Sequence, residues 1–346
     1  MKKTKLGING FGRIGRQVLR HVLTDYSETL EVVAVNDLSD KETNAHLFKY
    51  DSTYGMYPGK VELGDEELLI DGKSTEGWSL QKIKSISERD PKNLPWGDLG
   101  VDITIESTGF FTDASRASDH LDGGSKKVII SAPAKGEDIT IVMGVNHTNY
   151  DPVNHSVVSN ASCTTNCVAP MVKVLHDSFN IEKALMSTIH AYTNDQNILD
   201  QNHEDLRRAR SAANSIIPTT TGAAKAVTNV IPELSGRIDG MAYRVPVITG
   251  SVTDLTVKLS KNVSSDDIND AYRESAQKKL KGILSFSNDP LVSSDYIGSE
   301  YSCTIDGLST TNLGDGFIKV VGWYDNEWAY AKRVVDLAEY ISNRGL

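Results

Sequence analysis

The chain has few cysteines, no long apolar run and no excess of positive charge, and each absence excludes a class of protein. Its three cysteines, Cys163, Cys167 and Cys303, are too few, and odd in number, for a disulfide scaffold, which favours a reducing compartment. No stretch of about 18 consecutive apolar residues occurs, so the sequence predicts no membrane span. We therefore expect a cytoplasmic protein with free thiols.

Acidic residues outnumber basic ones. The 46 Asp and Glu against 36 Lys and Arg give a formal charge of −10 and a pI near 5.3. This balance opposes attraction to nucleic-acid phosphates and anionic lipids, so neither is expected as a main partner. The lysines Lys2, Lys3 and Lys5 lead into a glycine-containing stretch, which is unlike a signal peptide.

A length of 346 residues corresponds to about two domains of roughly 150 residues. In the first half, Lys5 to Asn9 and Leu30 to Asn36 are strand-like and flank Arg13 to Thr24, whose apolar residues have a helical period. Further short apolar strands are predicted at Val101 to Glu106, Lys127 to Ser131, Ile139 to Val145 and Val157 to Asn160. The pattern predicts a doubly wound, open α/β sheet.

The second half has the texture of an α+β domain with a mostly antiparallel sheet. Strands are predicted at Ala184 to Tyr192, Val252 to Leu259 and Phe317 to Tyr324, and helices at Cys163 to Asp177 and Ser265 to Leu280. The 252–259 run alternates apolar and polar residues, which is typical of a sheet covered on one face. We predict a first domain at 1–162, a second at 163–326, and an amphipathic helix at 327–346 that packs back on the first.

A glycine fingerprint joins the first predicted strand to the first helix. Gly10, Gly12 and Gly15 form G-x-G-x-x-G, in which the glycines permit a tight turn, close approach of a pyrophosphate and close packing of helix on strand. Asp37 ends the second strand about 22 residues beyond Gly15, near the spacing at which an acid binds the ribose hydroxyl. The pattern predicts NAD in preference to NADP; the alternative is that Asp37 is only a turn residue.

Cys163 follows a predicted strand and opens a predicted helix. Unpaired N–H groups and the helix dipole at such a place favour the thiolate. His190, on a strand-like stretch, is the best candidate base. The alternative is that both side chains only fill the core. Cys163 and Cys167 lack a second ligand pair at zinc spacing, so no metal is expected.

Three segments suggest anion binding despite the net charge. Arg207, Arg208 and Arg210 form the densest basic cluster, for which a solvated turn is the alternative. Threonines 219–221 and Gly222 lead into an Ala-rich helix start, where hydroxyls and N–H groups favour phosphate. Arg244 lies in an apolar stretch, so an anionic partner is expected.

Five motifs follow one another along the chain: NGFGRIGR at 9–16, SNASCTTNC at 159–167, LRRAR at 206–210, TTTGAAKAV at 219–227 and WYDNEW at 323–328. Their sequences and their order resemble those of phosphorylating glyceraldehyde-3-phosphate dehydrogenases. The resemblance implies a homotetramer that converts glyceraldehyde 3-phosphate, NAD and inorganic phosphate into 1,3-bisphosphoglycerate and NADH. It implies that Cys163 is the nucleophile and that His190 moves the proton.

The resemblance also implies the remaining site residues. Those for the cofactor are Gly10, Gly12, Arg13, Ile14, Gly15, Asp37, Arg89, Ser131 and Asn326. Ser162 and Thr164 flank the nucleophile, Thr193 and Arg244 hold the C3 phosphate of the substrate, and Arg208, Thr221 and Gly222 line the inorganic-phosphate site.

Four alternatives stay open at this point. NAD-restricted members of the family commonly carry Leu-Pro where this chain has Gln201-Asn202, which leaves NADP or dual cofactor use possible. Erythrose 4-phosphate is an alternative substrate of similar enzymes. A cysteine hydrolase or acyltransferase would need no dinucleotide fingerprint, and an NAD-sensing module would need neither Cys163 nor His190.

Overall fold

The computed structural model describes residues 3–346; Met1 and Lys2, where the predicted first domain and its lysine-rich start begin, lie outside the described residues. The described chain divides into two compact units. One contains the described residues up to Ile141, His147–Ala161 and Ala331–Leu346, and the other contains Val142–Asn146 and Ser162–Tyr330. Among residues 3–346, no helix is both long and apolar enough to cross a membrane.

The helices and strands are as follows. The α-helices are α1 (Arg13–Asp25), α2 (Lys41–Lys49), α3 (Trp96–Leu99), α4 (Ala114–Ala117), α5 (Asp119–Asp122), α6 (Cys163–Phe179), α7 (Ala223–Val230), α8 (Ser265–Gln277) and α9 (Trp328–Arg344). The strands are β1 (Thr4–Asn9), β2 (Leu30–Asn36), β3 (Tyr50–Asp51), β4 (Gly55–Met56), β5 (Val61–Leu63), β6 (Glu67–Ser74), β7 (Gly77–Ile86), β8 (Ile103–Glu106), β9 (Lys127–Ile130), β10 (Ile139–Thr140), β11 (Val157–Ser159), β12 (Ile181–Ala191), β13 (Ile217–Thr220), β14 (Ile238–Val245), β15 (Ser251–Leu259), β16 (Leu284–Ser287), β17 (Cys303–Asp306), β18 (Thr311–Asn312) and β19 (Phe317–Tyr324).

The first unit is built on a sheet in the order β10-β11-β9-β8-β1-β2-β7-β6-β5. Its strands from β10 to β7 are parallel, and β6 and β5 extend it as an antiparallel edge. The apolar side chains of β1, Leu6 and Ile8, are fully buried, as expected for a central strand covered on both faces. The predicted doubly wound α/β sheet is confirmed. Because the chain crosses to either side of β1, ligands are expected beyond the carboxyl ends of β1, β2 and β8.

The second unit contains a sheet in the order β13-β14-β12-β15-β19-β17-β16, with β18 paired to β19. Only the β12–β14 and β16–β17 pairs are parallel, so the predicted, mostly antiparallel sheet is confirmed. Every second residue of β15 is buried, which matches the alternation in its sequence. Helix α6 places Val168, Val172 and Leu175 in the core, and so the residue that begins α6 is held firmly.

The segment that follows β10 differs from the sequence-based expectation. The strand predicted at 139–145 stops at Thr140, because the Asn146 side chain accepts a hydrogen bond from the Val142 N–H and closes a turn. Gly144 in this turn has a φ of +81° and packs on Leu280, and the turn belongs to the second unit. At the other end of the chain, α9 from Ala331 onward packs within the first unit, where Lys332 lies 3.5 Å from Asp25.

Candidate active site

The glycine fingerprint forms an open cradle at the start of α1. Gly10 has a φ of +92°, and a Cβ on it would lie 2.5 Å from the backbone N of Thr108; a Cβ on Gly15 would lie 2.2 Å from the carbonyl oxygen of Gly10. A Cβ on Gly12, in contrast, would meet no atom within 4 Å. The helix also begins without a side-chain cap. Two of the glycines therefore close the turn, while Gly12 leaves room beside an uncapped helix N-terminus, where anions bind.

A cavity adjoins this cradle at the carboxyl ends of the parallel strands. Its wall combines backbone, carboxylate, guanidinium and aromatic groups, from Asn9, Gly10, Gly12, Asn36, Asp37, Leu38, Glu88, Arg89, Ser107, Thr108, Phe110 and Phe111. Leu38 and Phe110 are exposed apolar side chains at its rim. This mixture of an anion cradle, a carboxylate and apolar faces fits a dinucleotide with its phosphates, ribose hydroxyls and flat bases.

Asp37 contributes to this cavity and also shapes it. Its carboxylate accepts hydrogen bonds from the backbone N–H groups of Phe11 and Ser39, both at 2.9 Å. Asp37 therefore also acts as a turn residue, as the alternative interpretation proposed. Because the same carboxylate also lines the cavity, the turn does not remove it from the place where a ribose hydroxyl would bind.

The other cofactor residues suggested by the resemblance have varied surroundings. The Arg13 guanidinium lies 2.6 Å from Asp51 and over the Tyr54 ring, so its charge is already paired. Ile14 follows Arg13 in the first turn of α1, and Ser131 comes directly after β9. Asn326 belongs to the second unit, where its side-chain oxygen accepts hydrogen bonds from Thr249 and Ser251.

Cys163 is the first residue of α6 and follows a tightly formed turn. Ser162 caps the helix, with its hydroxyl accepting from the Thr165 N–H at 3.0 Å. Ala161 has a φ of +56°, a left-handed conformation that costs energy in a residue with a Cβ. The predicted position of Cys163 at the start of a helix is confirmed, and the Ser162 hydroxyl is engaged in the cap.

The thiol and the imidazole predicted to act together are in contact. The Sγ of Cys163 lies 3.3 Å from Nε2 of His190. On the other side of the ring, Nδ1 lies 2.6 Å from the Ala191 carbonyl oxygen and 2.8 Å from Nη1 of Arg244. A neutral Nδ1 can donate to the carbonyl or accept from the guanidinium, but not both. Arg244 is therefore placed to influence which ring nitrogen carries the proton.

Burial shifts the pKa values of both members of this pair away from their usual ranges. Burial raises the pKa of the Cys163 thiol to about 11, although the Arg244 charge and hydrogen bonds from Thr164 act in the opposite direction. Burial, and then the Arg244 charge, lower the pKa of His190 to about 3. Desolvation thus opposes the thiolate expected at the helix N-terminus, whereas the Arg244 charge and the Thr164 hydrogen bonds favour it.

Tyr324 connects the elements that carry the pair and was not identified from the sequence. Its buried hydroxyl lies 2.9 Å from the hydroxyl of Thr164 on α6 and 2.9 Å from that of Thr188 on β12. Its ring meets the His190 ring edge to face, with centroids 6.0 Å apart. The Thr164 hydroxyl, on the residue predicted to flank the nucleophile, contacts Tyr324. The Tyr324 contact holds helix and strand at a fixed spacing.

Part of the predicted anion-binding set forms one connected cluster, which joins Arg244, Thr193, Arg208 and Thr219 through Asp195. Arg210 instead pairs with Asp200 at 3.0 Å, and Arg207 is exposed. Arg244 donates to the Thr193 hydroxyl at 3.2 Å, and that hydroxyl donates to Asp195. Arg208 donates to the same carboxylate at 2.5 Å and to the Thr219 hydroxyl at 2.9 Å. Burial alone would raise the pKa of Asp195, but the Thr193 hydrogen bond and the two arginines hold it below its usual range. The charges there thus favour an anion.

The loop before α7 completes the cluster. The Thr221 hydroxyl accepts from the Ala223 N–H at 3.2 Å. A Cβ on Gly222 would meet no atom within 4 Å, so the backbone there is open to a ligand. Sequence reasoning missed two carboxylates of this arrangement, Asp195 and Asp205. Asp205 accepts from the Thr219 hydroxyl at 3.2 Å and lies 3.7 Å from Arg208. The separation of Asp195 by two residues from Thr193 was the available signal.

Comparison with known proteins gives two family matches that cover most of the chain. Residues 4–114 match "Glyceraldehyde 3-phosphate dehydrogenase, NAD binding domain", and residues 162–326 match "Glyceraldehyde 3-phosphate dehydrogenase, C-terminal domain". A glyceraldehyde-3-phosphate dehydrogenase of Geobacillus stearothermophilus is 57% identical over 342 residues, covering 99% of each chain. Similar proteins of that name from Bacillus cereus, covering 99% of this chain and 100% of the relative, and Bacillus subtilis, covering 99% of each, are both 54% identical.

Proposed function

The chain belongs to the glyceraldehyde-3-phosphate dehydrogenase family, and on that premise we propose how its residues divide the work of the reaction. The protein is an NAD-dependent oxidoreductase that acts on an aldehyde. Its substrate is D-glyceraldehyde 3-phosphate, which the glycolytic reaction converts with inorganic phosphate to 1,3-bisphosphoglycerate. The observation that supports the proposed residues is the 3.3 Å contact between Cys163 Sγ and His190 Nε2.

The first step is addition of Cys163 to the aldehyde. Sγ attacks the carbonyl carbon as the thiol proton passes to Nε2 of His190, 3.3 Å away, and the ring then protonates the former carbonyl oxygen. The product is a hemithioacetal on Cys163. The N–H groups at the start of α6 stabilise the negative charge that develops on that oxygen.

His190 accepts the hydroxyl proton of the hemithioacetal as its carbon is oxidised to the thioester. NAD would supply the hydride acceptor. The residues that would hold it are Gly10, Gly12, Arg13, Ile14, Gly15, Asp37, Arg89 and Ser131 of the first unit and Asn326 of the second. A phosphate oxygen then attacks the thioester carbon, the carbon–sulfur bond breaks, and His190 returns its proton to the leaving sulfur. The proton of the attacking phosphate passes to solvent, and the phosphorylated acid leaves.

Two phosphates are bound by the cluster around Asp195. Thr193 and Arg244 bind the C3 phosphate of the substrate, while Arg208, Thr221 and Gly222 bind inorganic phosphate. The contacts support this because Thr193 and Arg208 are already oriented toward an oxyanion, the Asp195 carboxylate. Arg244 also contacts the His190 ring, so the phosphate of the substrate is held next to the catalytic base.

An assay in which the purified protein oxidises glyceraldehyde 3-phosphate tests the proposal. We expect fast NADH absorbance with NAD, dependent on phosphate, and slow or no NADPH formation. Cys163→Ser should abolish turnover and leave NAD affinity unchanged. Cys167→Ala, one helical turn away and buried, is the matched control and should keep its activity. Turnover by the Cys163→Ser protein at a rate comparable to wild type would refute covalent catalysis.

We also propose that the protein is a cytoplasmic homotetramer. Four aliphatic side chains between residues 198 and 216 are more than two-thirds exposed: Ile198, Leu199, Leu206 and Ile216. Such a concentration of exposed apolar groups is typical of a contact surface. Light scattering should give about four times the 37.8 kDa chain mass, and Leu206→Asp should lower it. A wild-type monomer would contradict this proposal. The three free cysteines support the cytoplasmic assignment.

A further inference from the structure

A buried carboxylate lies beneath the dinucleotide cavity without lining it. Glu106 ends β8, next to β1 in the centre of the first sheet, and is 2% exposed. One of its oxygens accepts from the N–H and the hydroxyl of Thr108, at 2.8 and 2.5 Å. The other accepts from the Asn9 side-chain amide at 2.6 Å and lies 2.9 Å from Nε2 of His120. Both oxygens are therefore fully used.

The protonation of His120 is fixed by a tryptophan. The indole N–H of Trp96 lies 3.0 Å from Nδ1 of His120. An indole nitrogen can only donate, so Nδ1 accepts and the proton of the neutral ring is on Nε2, directed at Glu106. Both rings are fully buried. Trp96 also packs closely on β1, where a Cβ on Gly7 would lie 2.8 Å from its ring. The donor to Glu106 is thus held in place from behind.

The same hydrogen bonds reach two walls of the cavity. On one side, Glu106 binds Thr108, which lines the cavity. On the other, the Asn9 side-chain oxygen accepts from Asn36 at 2.7 Å. The Asn36 side chain in turn accepts from the Glu88 N–H and donates to the Glu88 carbonyl, both at 2.8 Å. Glu88 and the adjacent Arg89 form the opposite wall.

We propose that Trp96, His120 and Glu106 are positioning residues for the dinucleotide, which set the spacing of its two binding walls through Thr108 and Asn36. None of the three lines the cavity. This inference rests on NAD binding in that cavity. A cofactor that meets preorganised walls loses less free energy to ordering them on binding, so loosening the carboxylate weakens affinity without changing any group that touches NAD.

A matched pair of substitutions tests the proposal. In His120→Gln, the amide provides an acceptor for Trp96 and a donor that reaches Glu106, whereas in His120→Asn the side chain is too short to reach both. By isothermal titration calorimetry we expect the Asn variant to raise the Kd for NAD about tenfold, the effect of losing one hydrogen bond to a charged group. The Gln variant should stay near wild type. Trp96→Phe, which removes the N–H that fixes the ring, should behave like the Asn variant and serves in its place if that protein does not fold.

His21→Gln is the control. His21 is equally buried in the first unit and also pairs with a carboxylate, but with Asp25, at 3.1 Å, and not with Glu106. It should leave the Kd unchanged. In His120→Asn, KM for NAD should rise while kcat at saturating NAD stays within about twofold.

Amide hydrogen exchange without NAD provides an independent measurement. The N–H groups of Thr108 and Glu88 should both exchange faster in His120→Asn than in wild type or His120→Gln. A folded Asn variant with wild-type Kd, exchange that increases in only one wall, or an equal loss of affinity in His21→Gln would each overturn the proposal. Failure of the wild-type protein to bind NAD would instead overturn the cofactor assignment, and the exchange experiment would still test the network.

Discussion

Gly12 and Gly15, three residues apart, should respond in opposite ways to the same added methyl group. At Gly12 the φ of −76° is accessible to alanine, and the added Cβ meets nothing within 4 Å. Gly12→Ala should therefore change the free energy of unfolding by no more than about 0.5 kcal/mol, as for an ordinary surface substitution. The methyl group would occupy the space through which a pyrophosphate approaches the backbone.

The loss of NAD affinity in Gly12→Ala can be estimated from the hydrogen bonds it prevents. A hydrogen bond to a charged group contributes about 1.5–3 kcal/mol, which corresponds to a rise in Kd of about 10- to 150-fold. At Gly15 the new Cβ would lie 2.2 Å from the Gly10 carbonyl oxygen, and backbone on both sides must move. Overpacking of this kind costs about 1–3 kcal/mol.

Calorimetry on the two variants separates these effects. Gly12→Ala should melt with the wild type and bind NAD weakly, as measured by titration calorimetry. Gly15→Ala should melt lower by roughly 2–4 °C for each kcal/mol lost. The reasoning is refuted if Gly12→Ala binds NAD as tightly as wild type, or if Gly15→Ala is as stable as wild type.

Substitutions at three positions test individual side chains. Burial and the Arg244 charge lower the pKa of His190 in the folded protein to about 3, whereas in the unfolded chain the imidazole takes up its proton with a pKa of about 6.5. Acidification should therefore destabilise wild type relative to His190→Gln by up to about 1.4 kcal/mol per pH unit. Parallel dependence of the two urea-unfolding free energies on pH would contradict this. Arg244→Leu should raise KM for glyceraldehyde 3-phosphate about 10- to 100-fold through the lost charged donor, with Arg244→Lys intermediate; an unchanged KM in steady-state assays would remove Arg244 from the phosphate site. Asp37→Ala should raise the ratio of kcat/KM for NADP to kcat/KM for NAD. Asp37→Asn keeps the acceptor for the Phe11 N–H, so it should show the same shift in the ratio with a smaller loss of activity. An unchanged ratio would assign the choice of cofactor to Gln201-Asn202.

Local sequence patterns predicted the regular elements well where burial is uniform. The bounds of β2 and β19 match the prediction because continuous or alternating apolar runs end there in turn residues. The hairpin of β6 and β7 was not predicted, since many of its residues are polar and much of β7 is exposed. Residues 141–145 were wrongly assigned to a strand, because an apolar composition does not reveal a turn closed by Asn146.

The candidate site was predictable only as far as its motifs. The positions of Cys163 and of the glycine cradle at the starts of helices depend on local sequence, and so they could be predicted from it. The contacts of Tyr324 and Asp195 form only when the chain folds. The Tyr324 hydroxyl, for example, contacts Thr164 and Thr188, which lie 160 and 136 positions earlier in the chain. The effect of burial on the pKa of Cys163 could not be predicted for a related reason, because burial is a property of the folded neighbourhood and not of the helix start.

The contact of Tyr324 with Thr164 and Thr188 has a consequence for the response of the protein to dissolved salt. The spacing of Cys163 and His190 is held by neutral hydroxyl groups inside the core, which mobile ions do not reach. Arg208 and Asp195, in contrast, are charged and partly exposed, and counterions at physiological ionic strength screen such charges beyond about 8 Å. With the proposed roles, ionic strength should therefore affect the capture of the two phosphates, while the proton transfer between sulfur and imidazole should be insensitive to the salt of the medium.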